Sequence, residues 1–413
     1  MSEPNAIGQP DKPMPRQTLS GISSDLAYLR KRGIAKVARK SRSLPMYLPS
    51  RQPAGRDLRF VDRETLGAAA NLIEYREVLP PRTVSAGGGW CASRACSAGA
   101  RETIEAPPVY ACSVDHGVMV TDGVLFHGVL AGNNRLVTEV SADYASREGD
   151  WTSYKKLKRL PPRINVDNGV VSLLSGGGAI NNIGHWFYDV LPRLHLLRRA
   201  GLVPPDARYL TPPTDAEFMS TSLRLLGVSP GDCIGVSSPV AIAGDTMVAS
   251  SGHRIHGRVE PWIPQFLRDS FGREAAQSGL RLYVNRRDTK SRRLLNEGAL
   301  ESVLAQRGFR SVSAADFDFE GKVDLFGSAE IIVAPHGAGL TSIAFCPPGT
   351  HVVEIYHDDW FHPYFEDIAR AMDLPHTAVR ALRTVSPAWL PDELRHVEVD
   401  VERVVSTVDE ILT

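Results

Sequence analysis

The sequence predicts an α/β protein of two domains, and three observations lead there. The 413 residues are enough for two cores of ordinary size. Beyond Gly279, strand-like and helix-like runs alternate, which implies a parallel sheet with helices on both faces. Residues 329–356, AEIIVAPHGAGLTSIAFCPPGTHVVEIY, read as strand, glycine loop, helix and strand. That unit binds phosphate groups in open α/β sheets. Its glycines let backbone approach an anion, and the free N–H groups of a helix start favour negative charge.

Residues 1–56 form a proline-rich, polar tail that is expected to be poorly ordered. Inside it, residues 26–43 are basic with partial helical spacing, interrupted by Gly33. They read as a solvated tail, as a helix packed on the main body, or as a surface helix touching anionic lipid or a partner. No apolar signal core and no run of about 20 apolar residues is present, so neither export nor a membrane span is expected. The globular chain then begins near Asp57. Pro80-Pro81 and Gly87-Gly88-Gly89 mark loops, and residues 109–140 alternate as several short antiparallel strands. His116 and His127 lie on these strands and read as packed or surface histidines.

Residues 170–174 read as a buried strand, followed by Gly176-Gly177-Gly178 and a helix that Asn181 or Asn182 can cap. His185, Asp189 and Arg193 fall at i, i+4 and i+8, on one face of that helix. The carboxylate could orient the imidazole for proton transfer; the other reading is an ion pair on a solvated face. Trp186, Phe187, Val190, Leu194 and Leu197 make the buried side, and Pro192 predicts a kink. Strands are expected near Tyr209, Ile234 and Val248, and helices over 216–226 and 261–271. His253 and His256 sit in a glycine-bracketed loop that could face a cleft.

The second half resets at Gly279. Strands are expected at 280–284, 311–314, 331–335, 352–355 and 376–381, with helices at 296–307, 323–329, 340–346 and 358–372. The first strand runs straight into Arg286, Arg287, Lys290, Arg292 and Arg293. In a parallel sheet ligands sit at the carboxyl ends of the strands. These arginines would therefore lie close to the His336-Gly337-Ala338-Gly339 loop and could clamp a pyrophosphate. Glu354, ending the next strand, could accept ribose hydroxyls. Asp316-Phe317-Asp318 has a metal-holding form, but it precedes a helix, where aspartate serves as a cap. Residues 357–362, HDDWFH, hold metal-capable side chains that could also line a cleft.

Charge excludes a dedicated nucleic-acid binder, because 47 basic residues balance 47 acidic ones. Cys91, Cys96, Cys112, Cys233 and Cys346 show no metal-type pairing and read as reduced thiols of a cytosolic protein.

Three stretches in order, NNIGHWFYDVLPRL, VNRRDTKSRRLLNE and APHGAGLTSIAFCPPGTHVVEIY, resemble glycosyltransferase family 61 over residues 170–374, with weaker similarity back to Tyr75. His185 and Asp189 match its His-Trp-x-x-Asp motif. Arg286, Arg293, Asn296 and Glu297 match its arginine-bearing motif, and His336, Gly337, Gly339 and Glu354 its glycine-loop motif. Asn285 and Ser342 depart from the serine and asparagine that are usual there. The resemblance implies a GT-B architecture, with two Rossmann-type domains facing a cleft, and inverting transfer from a nucleotide sugar. On it, residues 57–278 form the acceptor-side domain, with extra antiparallel strands, and 279–395 the nucleotide-sugar domain. Residues 396–413 form a helix expected to pack back on the N-terminal domain. His185 and Asp189 are the expected catalytic pair. Arg286, Arg293, Asn296, Glu297, His336, Gly337, Ala338, Gly339 and Glu354 are the expected donor-binding set, with no metal or other cofactor. Expected partners are the nucleotide sugar and a glycan or lipid-linked acceptor, in bacterial surface-polysaccharide synthesis at the cytoplasmic side of a membrane. No nucleic acid is expected, and a homodimer is a candidate assembly.

Overall fold

The computed structural model describes residues 60–61, 72–86, 102–144, 150–157, 159–176, 179–180, 182–254, 258–273, 279–289, 292–356, 362–382 and 395–413. The N-terminal tail, Gly87 to Gly89, Cys91, Cys96, Gly177, Gly178, Asn181, His256, Lys290 and residues 357–361 lie outside them.

Among the described residues the N-terminal half holds a two-stranded sheet, which pairs Arg82–Ala86 with Glu102–Ala106, and two large sheets. One is a mixed sheet that includes Val118–Thr121, Phe126–Ala131, Arg135–Val137, Arg163–Asn165 and Val240–Ala243. The other is six-stranded and positions the site. Its strands are β1 (Ile73–Leu79), β2 (Val109–Asp115), β3 (Gly169–Ser172), β4 (Arg208–Thr211), β5 (Cys233–Gly235) and β6 (Thr246–Ser250), in the order β5-β4-β3-β6-β2-β1. β5, β4, β3 and β6 run parallel, and β2 and β1 continue the sheet antiparallel. Three helices, α1 (Leu191–Arg199), α2 (Glu217–Leu225) and α3 (Trp262–Phe271), pack on one face. α3 does so because Ile263, Phe266, Leu267 and Phe271 recur at helical spacing and are all buried.

The parallel part of this sheet, β5-β4-β3-β6, is Rossmann-like as expected, and the departure from a doubly wound domain lies on its other face. The second face of this sheet is covered by the mixed sheet, not by helices: Met119, Val129 and Ile242 meet Val114, Val170 and Met247. The short antiparallel strands are thus a structural layer, where a doubly wound domain would place helices.

The C-terminal half follows the strand–helix alternation closely. It contains β7 (Leu280–Asn285), α4 (Glu297–Ala305), β8 (Phe309–Ser313), α5 (Phe319–Gly327) and β9 (Ala329–Pro335). The 3₁₀ helix Ala338–Phe345, β10 (His351–Tyr356), α6 (Tyr364–Ala371), β11 (His376–Arg380) and α7 (Val401–Leu412) complete it. The sheet is all parallel, in the order β8-β7-β9-β10-β11. That is the 2-1-3-4-5 order of flavodoxin-like folds, whose switch point lies between the first and third strands, here β7 and β9. Gly308, with φ 78°, ends α4 in the left-handed conformation that glycine adopts most readily.

α7 packs on this half and not on the N-terminal one, correcting that expectation. Asp400 caps it by accepting from the Arg403 N–H at 3.1 Å, Val404 and Val408 enter the core with Leu300 and Leu304, and Arg307 grips Asp409 at 2.8 Å. Each half has apolar clusters of its own, and a further one crosses Gly279, joining Trp186, Phe187 and Leu194 to Phe319, Leu340 and Phe345. A buried Arg258–Asp367 pair at 2.6 Å also ties the halves together. No helix among the described residues is long and apolar enough to cross a membrane.

Candidate functional site

The site begins where the chain leaves β3. Asn182 caps the next turn by accepting from the Gly184 and His185 N–H groups. The helix then opens into a π turn over Trp186–Val190 before α1. Pro192 explains part of this. It has no N–H to offer the Tyr188 carbonyl, which accepts instead from His253 Nε2 at 2.9 Å. π turns insert a residue into the helical register and are common at functional sites.

The insertion changes the expected stripe. His185 Nδ1 does meet Asp189 Oδ2, at 2.5 Å. Arg193 is rotated out of line and buried, donating to the Ser250 carbonyl at 2.9 Å. The arginine that reaches Asp189 is Arg254, at 2.9 Å, from the loop after β6. Sequence reading missed Arg254. Its only local signal is its place after a strand, next to His253.

Burial pushes the Asp189 carboxyl up, but Arg254 and then the His185 hydrogen bond outweigh it and hold the group well below the usual carboxylate range. Asp189 is therefore an anion that orients His185, whose side chain remains 46% exposed. His253 is a different case. Fully enclosed, it is pulled down to about 4 by burial and by Arg193, so near neutrality it is an uncharged donor to Tyr188.

The second part comes from β7 and β9. The His336-Gly337 turn follows β9, and Arg286 follows β7. The Arg286 backbone N–H is held by Glu297 Oε1 at 3.1 Å, and its guanidinium lies directly over Gly337. A Cβ at residue 337 would stand 1.6 Å from Arg286 Nη1, so only glycine fits beneath the guanidinium. Burial, and then the charge of Arg292, pull Arg286 down to about 10. Burial, followed by His336, Arg292 and Arg254, pulls His362 down to about 4. Arg254 in turn lies 5.1 Å from the Tyr364 ring centroid. The cations of both halves thus crowd one region, and an entering anion would relieve that crowding.

Several expected ligands do other work. Glu354 is fully buried, and both of its oxygens are taken, one by His336 Nδ1 and the other by His376 Nε2 at 2.9 Å. It is held at about 2, because His336 and His376 outweigh its burial. It braces His336 and cannot receive a ribose. Asn296 pairs through its amide with both backbone groups of Val399, at 2.7 and 3.0 Å. Glu297 supports Arg286 and Tyr283. Arg293 is exposed, its backbone joined to the segment of His396 and Val397; Arg292 is the neighbour of Arg286. Ala338 is exposed and Gly339 half-buried at the start of the 3₁₀ helix.

Asp318 caps α5, accepting from the Gly321 N–H at 2.7 Å. His127 is packed, bonded to Thr121 at 2.8 Å and to the Ser175 carbonyl at 3.2 Å, and His116 sits in an exposed turn. His362 stacks on Tyr364 with ring centroids 5.0 Å apart.

The two parts meet. The Tyr188 hydroxyl, on the π turn, donates to the Thr341 carbonyl at 3.0 Å. A Cβ at Gly184 would lie 3.3 Å from Thr341 Oγ1. The residue before His185 therefore touches the helix that starts at the glycine loop.

The chain is 31% identical over 137 residues to the protein O-linked-mannose beta-1,4-N-acetylglucosaminyltransferase 2 of Tetraodon nigroviridis. That alignment covers 29% of this chain and 24% of the relative, so the chain spans about a quarter of the relative's length. The family model Glycosyltransferase 61 matches residues 183–353, from the capped turn that carries His185 to the strand after the glycine loop.

Proposed function

We infer that the protein transfers a sugar from a nucleotide-sugar donor to a hydroxyl of a glycan or lipid-linked acceptor. The observation that carries this is that the turn bearing the oriented His185–Asp189 pair packs, through Tyr188 and Gly184, on the 3₁₀ helix that begins at Gly337, over which the buried Arg286 guanidinium lies. With Nδ1–H given to Asp189, His185 presents a lone pair at Nε2. It takes the acceptor proton as the acceptor oxygen bonds to the anomeric carbon. The bond from that carbon to the phosphate oxygen breaks in the same step, and its electrons leave on the diphosphate. Arg286, Arg292 and the amides of the 3₁₀ helix meet the charge that develops there.

A base on one side of the sugar and a leaving group on the other is an inverting arrangement. The fish relative is named for a β linkage, the outcome inversion gives from an α-linked donor. In this reading the halves act as the acceptor and donor sides of a GT-B-like enzyme, the arginines supply what a divalent metal supplies elsewhere, and surface-polysaccharide assembly is the setting.

The test is a nucleotide-sugar panel, read first by thermal shift and then by product formation with glycan acceptors. A stabilising donor that is turned over only with acceptor, and still so after chelation, is the expected result. Binding without turnover, or hydrolysis that ignores the acceptor, would sink it.

A further inference from the structure

We propose that the donor's nucleoside lies in a cleft of about 720 Å³ between α4 and the free edge of the C-terminal sheet, with Asp316 receiving the ribose hydroxyls. This deepens the transferase reading and rests on it.

Glu354, fully buried between two histidines, leaves a ribose without the acceptor that sequence alone suggested. The sheet order supplies another direction. The chain leaves β7 for α4 on one face and β9 for the 3₁₀ helix on the other, which opens a crevice at the carboxyl ends of these strands. Arg286 and Gly337 stand in that crevice. From Arg286 the chain runs directly into Arg287 and Asp288, which line the cleft, and the cleft continues to Ser313 and Asp316 at the end of β8. β8 is the edge strand, and among the described residues nothing in the sheet lies beyond it. The volume is within the range of about 300–1,000 Å³ usual for small-molecule sites.

The floor is built and fixed. Asn285 Nδ2 donates to Ser311 Oγ at 3.0 Å, Ser311 donates to Glu301 at 2.7 Å, and Glu301 also holds Arg287. Asp316 stands at the rim with no hydrogen-bond partner among the described residues. An acidic residue just past the second strand of such a sheet is well placed for a ribose diol when the diphosphate sits by the first and third. Gly298, on α4, faces the same space, and a Cβ there would meet nothing within 4 Å.

Calorimetry on the full chain separates the parts of the ligand. The probes are pyrophosphate and whichever of UDP, CDP, GDP or ADP binds wild type best. Gly298→Trp fills the cleft from an open helix position, and Asp316→Leu removes the ribose acceptor at similar size. Circular dichroism checks folding, with Ser302→Trp, one turn further along α4, as the second cleft-filling variant. The expected result is a fall of roughly tenfold or more in nucleoside-diphosphate affinity in each, with pyrophosphate binding unchanged. Undiminished nucleoside-diphosphate binding in the folded variants overturns the subsite and leaves the transferase reading standing. Wild type that binds neither pyrophosphate nor any nucleoside diphosphate removes both.

Discussion

Each half of this molecule holds a histidine bonded through Nδ1 to a carboxylate, and the two pairs do different things. His185–Asp189 follows β3, half-open to solvent, its carboxylate shared with Arg254. His336–Glu354 bridges β9 and β10 inside the protein, its carboxylate shared with His376. The chemistry of the side chains is nearly the same. Access to solvent separates them: His185 is open to a proton from outside the protein, while the second pair is sealed in beside the glycine loop. The comparison teaches that a histidine–carboxylate pair acquires its role from what surrounds it.

The first way to break this contrast is His185→Ala. It should lower turnover by roughly 10²–10⁴-fold while leaving the melting temperature nearly unchanged, as expected for an exposed general base. A variant with normal turnover would end the assignment. Gly337→Ala comes next. The added Cβ must expel the Arg286 guanidinium, so the loss should approach that of Arg286→Ala, about 3 kcal/mol of barrier, read in kcat.

Glu354→Gln tests the other pair through stability. The fold holds this carboxyl at about 2, below its unfolded range near 4, so its stabilisation is complete above that range and fades as pH falls toward about 2. Thermal melts between pH 5 and 2 should show this acid loss in wild type and a flatter profile in the variant. The effect of His253 lies higher. Held at about 4 against an unfolded value near 6.5, it should cost stability as pH drops across that interval, and His253→Gln should remove this part. The smallest expected effect is Tyr188→Phe, which loses the bond to Thr341 that joins the two parts, at about 1 kcal/mol by denaturant unfolding.

Much of the fold was legible in the chain. In the second half the expected strands and helices lie close to the observed ones, because buried parallel strands are continuous apolar runs and each helix carries its own stop, as Gly308 does for α4. Asn182 capping before His185 and Asp318 capping α5 were local matters and were equally readable. The N-terminal half was less so. Alternating strands over 109–140 declare themselves as strands, but nothing in a two-residue period says which sheet they join or which face they cover.

The sequence by itself determined the parallel C-terminal sheet, the glycine loop at its switch point, the arginines beside it and the His185–Asp189 spacing. All of these follow from residues close together in the chain or from strand–helix alternation. Only the tertiary structure decided that Arg254 and not Arg193 meets Asp189, that Glu354 faces inward between His336 and His376, and that Asn296 anchors Val399. Those choices depend on a π turn that shifts the helical register, on desolvation, and on partners up to 103 residues away. Such effects come from packing between distant segments, and no local pattern records them.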